Sequence, residues 1–351
     1  MKYILLFSCF LSQFQIFAQV SITSADMPAS GDALIQENAT WNGNWNLDQS
    51  GSGLSWNVNS SVLTPLGTFT TVNCEPLNNA PFAYQFFFNS PFDPDHNSDY
   101  TTITAPPTLP TDQLPLPIPI TIENTYAFYQ VTNSRYALTG FGASISGFPT
   151  GAQGNPIDII YPLPLTYPLD QTNDSYFQYD IPTLGTYATA QTRRTEVLAE
   201  GNMSFFGTNY PVLKVKSTVT GTDSLYISQF SFGFSFPRPE AVEYKWLTPG
   251  IKVPLLQINT ALGATTGALI YSTGPNSIEL IGQDDWTVFP NPGSSLNIKS
   301  STSSKIKIVD QKGAIVFYDN VNSLGQWDGS SLAQGTYFIE INGVTKKWIK
   351  N

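Results

Sequence analysis

The chain has 351 residues, enough for one large domain and one small one. Hydrophobic residues make up 41%, which suits a packed core, but only 12% are charged, about half the ~25% of an ordinary soluble domain. The net charge of −10 excludes a general nucleic-acid binder, because phosphate neutralisation needs a basic face.

Lys2, the apolar run 3–11 and the pair Ala18-Gln19 read as a signal peptide over residues 1–19. That run is too short to span a bilayer, and no later stretch approaches ~20 uninterrupted apolar residues, so no transmembrane segment is expected in the processed chain. Cys9 falls inside this leader. Cys74 then stands alone, and it reads as a small buried hydrophobe.

Residues 20–271 carry strand signals and almost no helix signals. Trp41, Trp45 and Trp56 lie close together among Asn, Ser and Gly. Such rings stack on sugars or fill a core, and core packing explains them more often. Aromatic strands are expected at 84–88, 126–131 and 244–247. Leu213, Val215, Ser217 and Val219 alternate with polar residues, the period of a half-buried strand. Gly221-Thr222-Asp223 reads as a turn, with a second strand at 224–230 completing a hairpin. The proline-rich stretch 106–119 lacks ladder donors and reads as a surface loop. The pattern gives an all-β fold: an antiparallel curved-sheet or barrel-like body.

Candidate chemistry in the body is sparse. His96 is the only histidine, and it sits in a turn-rich loop with no nucleophile motif beside it, so no catalytic residue is assigned. The same loop places Asp93, Asp95, Asn97 and Asp99 at alternate positions, the spacing by which a short loop wraps Ca²⁺, so calcium is the one cofactor considered. Ser98 stands where a sharp-turn Gly is expected, and Thr104 stands where a closing Glu is expected. Gly140-Phe141-Gly142 begins like a dinucleotide loop but lacks the third glycine and the strand-to-helix context. Arg193 and Arg194 read as surface partners of Glu196 and Glu200.

Charge changes sign late in the chain. Residues 20–284 hold 8 Lys and Arg against 21 Asp and Glu, whereas residues 285–351 hold 7 Lys against 5 acids. A linker is expected at 272–285, where Gly274-Pro275-Asn276 breaks the apolar pattern. Beyond it, short strands at 286–289, 296–299, 305–309, 314–318, 336–341 and 345–349 are separated by turn residues, including Asn342-Gly343. Six or seven strands over residues 286–351 suggest a small Ig-like β-sandwich.

This segment resembles the type A C-terminal sorting domain of the Bacteroidetes type IX secretion system. The likeness rests on Pro290-Asn291-Pro292, on Asp310 followed by Gly313, on Leu332, Gly335 and Tyr337, and on the basic residues Lys346 and Lys347. It implies a partner, the type IX machinery, and a destination, the cell surface or the medium reached through the periplasm. The body loosely resembles exported proteins that carry the same tail, around residues 22–32 and 244–256, which brings no activity with it. Asp223-Ser224-Leu225 is similar to the O-glycosylation sequon of these bacteria and points to Ser224. The expected function is therefore an exported structural or binding module, possible glycan contact included; the alternative is a secreted glycan-active hydrolase using two carboxylates.

Overall fold

The computed structural model describes residues 19–106, 121–182, 184–272 and, with short gaps, 286–351. Nearly all of the expected signal peptide, proline-rich stretch and linker lies outside the described residues. The chain divides into two compact units, Met1–Ser277 and Ile278–Asn351.

In the first unit the short β1 (Ser21–Ile22) pairs with β9 (Leu165–Thr166). The main sheet is built from β2 (Ala33–Trp41), β3 (Gly51–Val58), β4 (Leu63–Asn73), β5 (Tyr100–Ile103), β6 (Ile122–Val131), β7 (Arg135–Ile145) and β8 (Phe148–Pro162). It continues through β10 (Leu169–Ile181), β11 (Gly185–Phe205), β12 (Thr208–Ile227), β13 (Phe232–Leu247), β14 (Leu256–Ala261) and β15 (Ala264–Tyr271). Hydrogen-bonded neighbours run β4-β2-β15-β14-β13-β12-β11-β10-β8-β7-β6-β5, all antiparallel, and β3 lies parallel to β11 off this path. The two ends of the path meet. Just beyond β4, the Glu75 N–H donates to the Thr101 carbonyl of β5 at 2.8 Å, and the Thr101 N–H donates back at 2.9 Å. The sheet is thus a nearly closed barrel, as the strand pattern predicts.

Alternation along the strands sorts the faces. On β10, Ser175, Phe177, Tyr179 and Ile181 are buried, while Asp170, Thr172, Asp174, Gln178 and Asp180 between and before them are exposed. A lipid-facing barrel carries an apolar outward band, so these strands face water. Two bulges shift the phase. On β11 the register skips Leu198 between Val197 and Ala199, and on β13 it skips two residues between Arg238 and Ala241. After the first bulge Ala199, Met203 and Phe205 turn outward and build a second core under β3 with Trp56, Trp246, Ile258 and Ile270. Trp41, Trp45, Trp56 and Trp246 meet edge to face there, at 4.9–6.1 Å between centroids, so the clustered tryptophans are packing residues.

Two expectations are corrected. Residues 84–88 are not a strand: they belong to the helix α1 (Phe82–Phe88), capped by Pro81. Its buried Tyr84 and Phe88 are four apart on one face and press on β7 and β8. A Cβ at Gly140 would lie 2.6 Å from Phe88, and one at Gly142 would lie 2.9 Å from Tyr84. The glycines of Gly-Phe-Gly are therefore seats for rings, in a strand. Residues 221–223 are not a turn either. β12 runs through them, paired with β11 on one side and β13 on the other, and the turn of its hairpin is at Phe206-Gly207, both at positive φ. Pairing on both sides outweighs the turn preference of Gly-Thr-Asp.

Lys214 is fully buried on the outward face of β12. Its Nζ donates to the carbonyls of Leu47 (2.9 Å) and Gln49, pinning the segment that leads into β3, and burial lowers its pKa to about 8. A neutral amine has two N–H groups, which matches two carbonyls. The unfolded lysine titrates at ~10.4 and so binds more protons than the folded one between pH 8 and 10, and stability gains with rising pH. We predict that the urea midpoint of the wild-type protein rises relative to that of Lys214→Met between pH 8 and pH 10. A constant difference would count against the buried geometry.

Among the described residues the second unit has seven strands in two sheets. One holds β16 (Trp286–Phe289), β17 (Leu296–Ser300) and β20 (Leu324–Trp327); the other holds β18 (Ser304–Asp310), β19 (Ile315–Val321), β21 (Gly335–Ile341) and β22 (Val344–Lys350). Leu296 and Ile298 of the first share a core with Ile306, Ile308, Tyr337, Ile339, Ile341 and Trp348 of the second, a small sandwich. Strand β20 carries no alternation long enough to foresee.

Candidate functional site

The inward faces of β8, β11, β12 and β13 bring charged residues together inside the barrel. Asp158 of β8 accepts from Arg193 Nε at 2.8 Å and Nη2 at 2.7 Å, and from Gln191 Nε2 at 3.0 Å. Arg193 Nη1 donates to Ser217 Oγ at 3.0 Å. The pair is enclosed, with side chains 2% and 13% exposed. Burial alone would lower the Arg193 pKa, and Asp158 more than offsets it. Deeper along β13, Lys245 Nζ lies 2.5 Å from Glu243 Oε2 and 5.8 Å from the Tyr161 ring centre. Burial pushes the Glu243 carboxyl up, but Lys245 and Arg193 together hold it below its ordinary value. The β13 bulge is what allows Arg238 and, beyond it, Glu243 and Lys245 to face the same interior.

The polar chain continues from Gln191. Arg238 Nη1 lies 3.4 Å from Gln191 Oε1, and its Nε lies 3.6 Å from Asp223 Oδ2. Asp223 in turn accepts from Thr189 Oγ1 at 2.8 Å. Leu138, Phe141, Phe177, Tyr179 and Tyr187 stand beside these groups, Leu138 paired with Asp158 and Phe177 with Thr189, and the set lines a cavity of about 280 Å³. A second cavity, of about 230 Å³, is lined by Tyr129, Tyr136 and Lys245 together with Leu34, Gln36 and Gln257. Those strands are far apart in the sheet order, so the barrel encloses a common interior.

Sequence reasoning missed this site. It placed Arg193 and Arg194 together on the surface, but neighbours in a strand face opposite ways. Arg194 does lie outside, paired with Asp170 at 2.7 Å and Glu196 at 3.0 Å. The signal for Arg193 was available as the alternation Tyr187, Thr189, Gln191, Arg193, Thr195, Val197, whose two ends are apolar.

Of the loop residues expected to wrap calcium, the three aspartates are each turned to a partner of their own. Asp93 faces His96 Nδ1 at 2.8 Å and accepts from Gln153 at 3.0 Å; Asp95 lies 3.8 Å from Arg135; Asp99 accepts the Val131 N–H at 2.6 Å. Asn97 Oδ1 is buried and has no partner among the described residues. His96 Nε2 lies 2.7 Å from the Gly154 carbonyl, so the ring ties the loop to β8. Among the described residues no three His, Cys, Asp or Glu gather as a metal site. Cys74 is buried, and desolvation pushes its thiol up to about 12, an unreactive state. Ser224 lies inside β12, paired with Ala188 and Ser235.

The tail residues have structural work. Asn291 donates from Nδ2 to the Lys347 carbonyl at 2.7 Å and accepts the Ile349 N–H at 3.0 Å, so it clamps β22 as a strand neighbour would. Pro292 follows it, while Pro290 lies outside the described residues. Asp310 accepts the N–H groups of Lys312 (2.8 Å) and Ala314 (2.9 Å) around Gly313, whose φ of 83° suits glycine. Tyr337 is buried and donates to the Ala333 carbonyl at 2.8 Å, and Lys350 reaches the Leu332 carbonyl. Gly335 opens β21 opposite Lys350, and Lys346 and Lys347 pair with Ile339 and Phe338.

Residues 287–351 match the family model of the secretion system C-terminal sorting domain. No curated protein and no solved structure matches the chain. The sorting domain marks the protein for export by type IX secretion.

The buried Asp158–Arg193 pair yields a stability prediction. Removing one partner strands the other charge, so Asp158→Ala should cost about 3–5 kcal/mol in urea unfolding. Replacing both, as Asp158→Leu with Arg193→Met, should recover most of that loss. A double variant no more stable than the single one would show that the pair is not a closed unit.

Proposed function

We propose that the body is an exported binding barrel that holds a small ligand in its interior and performs no chemistry on it. The observation that carries this reading is the state of the interior carboxylates. Asp158, which lines the 280 Å³ cavity, is gripped by Arg193 Nε and Nη2, and Glu243 is held ionised beside Lys245. A glycan-active hydrolase needs the opposite: one carboxylic acid kept protonated by a raised pKa, facing a second carboxylate across the scissile bond. Paired charges instead give a fixed polar lining, and the aromatic residues beside them give an apolar one, the composition of a ligand pocket.

The route we infer is export across the inner membrane by the signal peptide, then passage through the periplasm to the type IX machinery, with the body delivered to the cell surface or the medium. Calcium at Asp93, Asp95, Asn97 and Asp99 requires Asp93 to leave His96 and Gln153. A melting temperature unchanged by millimolar Ca²⁺ would remove that site, since a ligand of the folded state stabilises it by mass action.

Fractionation tests the export half of the proposal. Cells making the full chain should release it or display it, whereas a chain lacking residues 286–351 should stay in the periplasm. Tyr337→Ala, which costs about 3–5 kcal/mol of core packing in a small domain, should stay with it. Surface delivery of the truncated chain would refute the role of the tail. For the body, release of reducing ends from a polysaccharide panel, abolished by Asp158→Asn, would establish the hydrolase instead.

A further inference from the structure

Among the arginines of the barrel interior, Arg238 stands apart from Arg193. Arg193 makes bonds of 2.7–3.0 Å to Asp158 and Ser217. Among the described residues Arg238 has only the 3.4 Å and 3.6 Å contacts described above, both longer than an ordinary hydrogen bond, and its side chain is 43% exposed. A guanidinium carries five N–H donors in a rigid fork, so most of its capacity is uncommitted.

Its position is nevertheless fixed. Pro237 and Pro239 flank it and restrict the backbone, and the bulge that follows sets the direction of its side chain. Gly221 lies directly across the pair. A Cβ there would stand 2.9 Å from the Ala190 carbonyl, so the neighbouring strand calls for glycine, and 3.4 Å from Arg238 Cδ, in ordinary contact with the arginine stem. Among the described residues, β14 pairs with β13 only over 241–246, so the stretch around Arg238 is bonded to β12 on one side alone. Proline and charge on such an edge discourage pairing with another strand and leave the arginine beside an accessible margin.

Behind Arg238 the cavity is aromatic. Phe141 meets Phe177 edge to face at 5.2 Å and Tyr179 at 6.2 Å. One polar atom on this wall is unmatched: Thr125 is 3% exposed, and its Oγ1 has no partner among the described residues. A buried hydroxyl without a partner is costly, and a ligand atom would satisfy it.

We propose that the 280 Å³ cavity takes a small aromatic carboxylate, its ring against Phe141, Phe177 and Tyr179 and its acid group on the Arg238 fork. This deepens the reading of the body as a binding barrel and rests on it. Guanidinium and carboxylate match as planar, two-pronged partners.

Titration calorimetry on the full chain, with 2-naphthoate, 2-naphthamide and D-glucuronate as probes, tests this. Naphthoate should bind at least about tenfold more tightly than the neutral amide, the usual advantage of a charge-assisted bond. Arg238→Met should abolish that preference with unchanged circular dichroism, and Arg238→Lys should retain part of it. Equal binding of acid and amide would overturn the role of Arg238 and leave the binding barrel standing. Tighter binding of glucuronate would overturn the aromatic class. Binding of neither naphthalene compound by folded protein would overturn the proposed site, and only binding of none of the three probes would count against the binding reading as well.

Discussion

Adjacent residues of a strand face opposite ways, so a sheet that returns to its first strand assigns every residue either to an enclosed interior or to the outside. The body lives under that constraint over its whole length. Bridging of Glu75 to Thr101 closes the circle and makes the interior a place from which charges are shielded. Asp158 and Arg193 are then obliged to meet, because neither has water in quantity nor another partner of opposite charge as close. The two bulges are the means of escaping strict alternation. One releases the end of β11 to build the tryptophan core outside the barrel, and the other brings Arg238 into the company of Gln191 and Asp223.

Much of this was legible in the sequence, and the failures have physical causes. Leu213, Val215 and Ser217 declared both their strand and their buried face, because period-two alternation survives any partner. The tail was legible motif by motif, since its turns are local: Asp310 bonds groups only two and four residues away. What could not be read were effects imposed by distant neighbours. Residues 84–88 have the composition of a strand, and they became helical because two glycine seats on β7 accept rings spaced at i and i+4. Gly221-Thr222-Asp223 has the composition of a turn, and it was straightened by strands on both sides. Arg193 was misplaced although its face was readable, because its charge was weighed above the unbroken alternation from Tyr187 to Val197.

Function divides along the same line. The export signal is a compact domain with its own core, and its identity follows from a short ordered set of local motifs. The site in the body is assembled from β7, β8, β10, β11 and β13, which span about a hundred residues of sequence. Its aromatic wall and its polar wall come from strands that have no motif in common. Pairing of adjacent strands makes them neighbours, as between Leu138 and Asp158 or Phe177 and Thr189.

The clamp formed by Asn291 has a consequence for synthesis. Its two bonds go to Lys347 and Ile349, and Trp348 belongs to the core beneath them, so a chain that stops within the tail before β22 keeps its body but lacks the strand on which the Asn291 clamp and that core close. Completion of the tail core therefore waits on β22, which is synthesised after every strand it packs against.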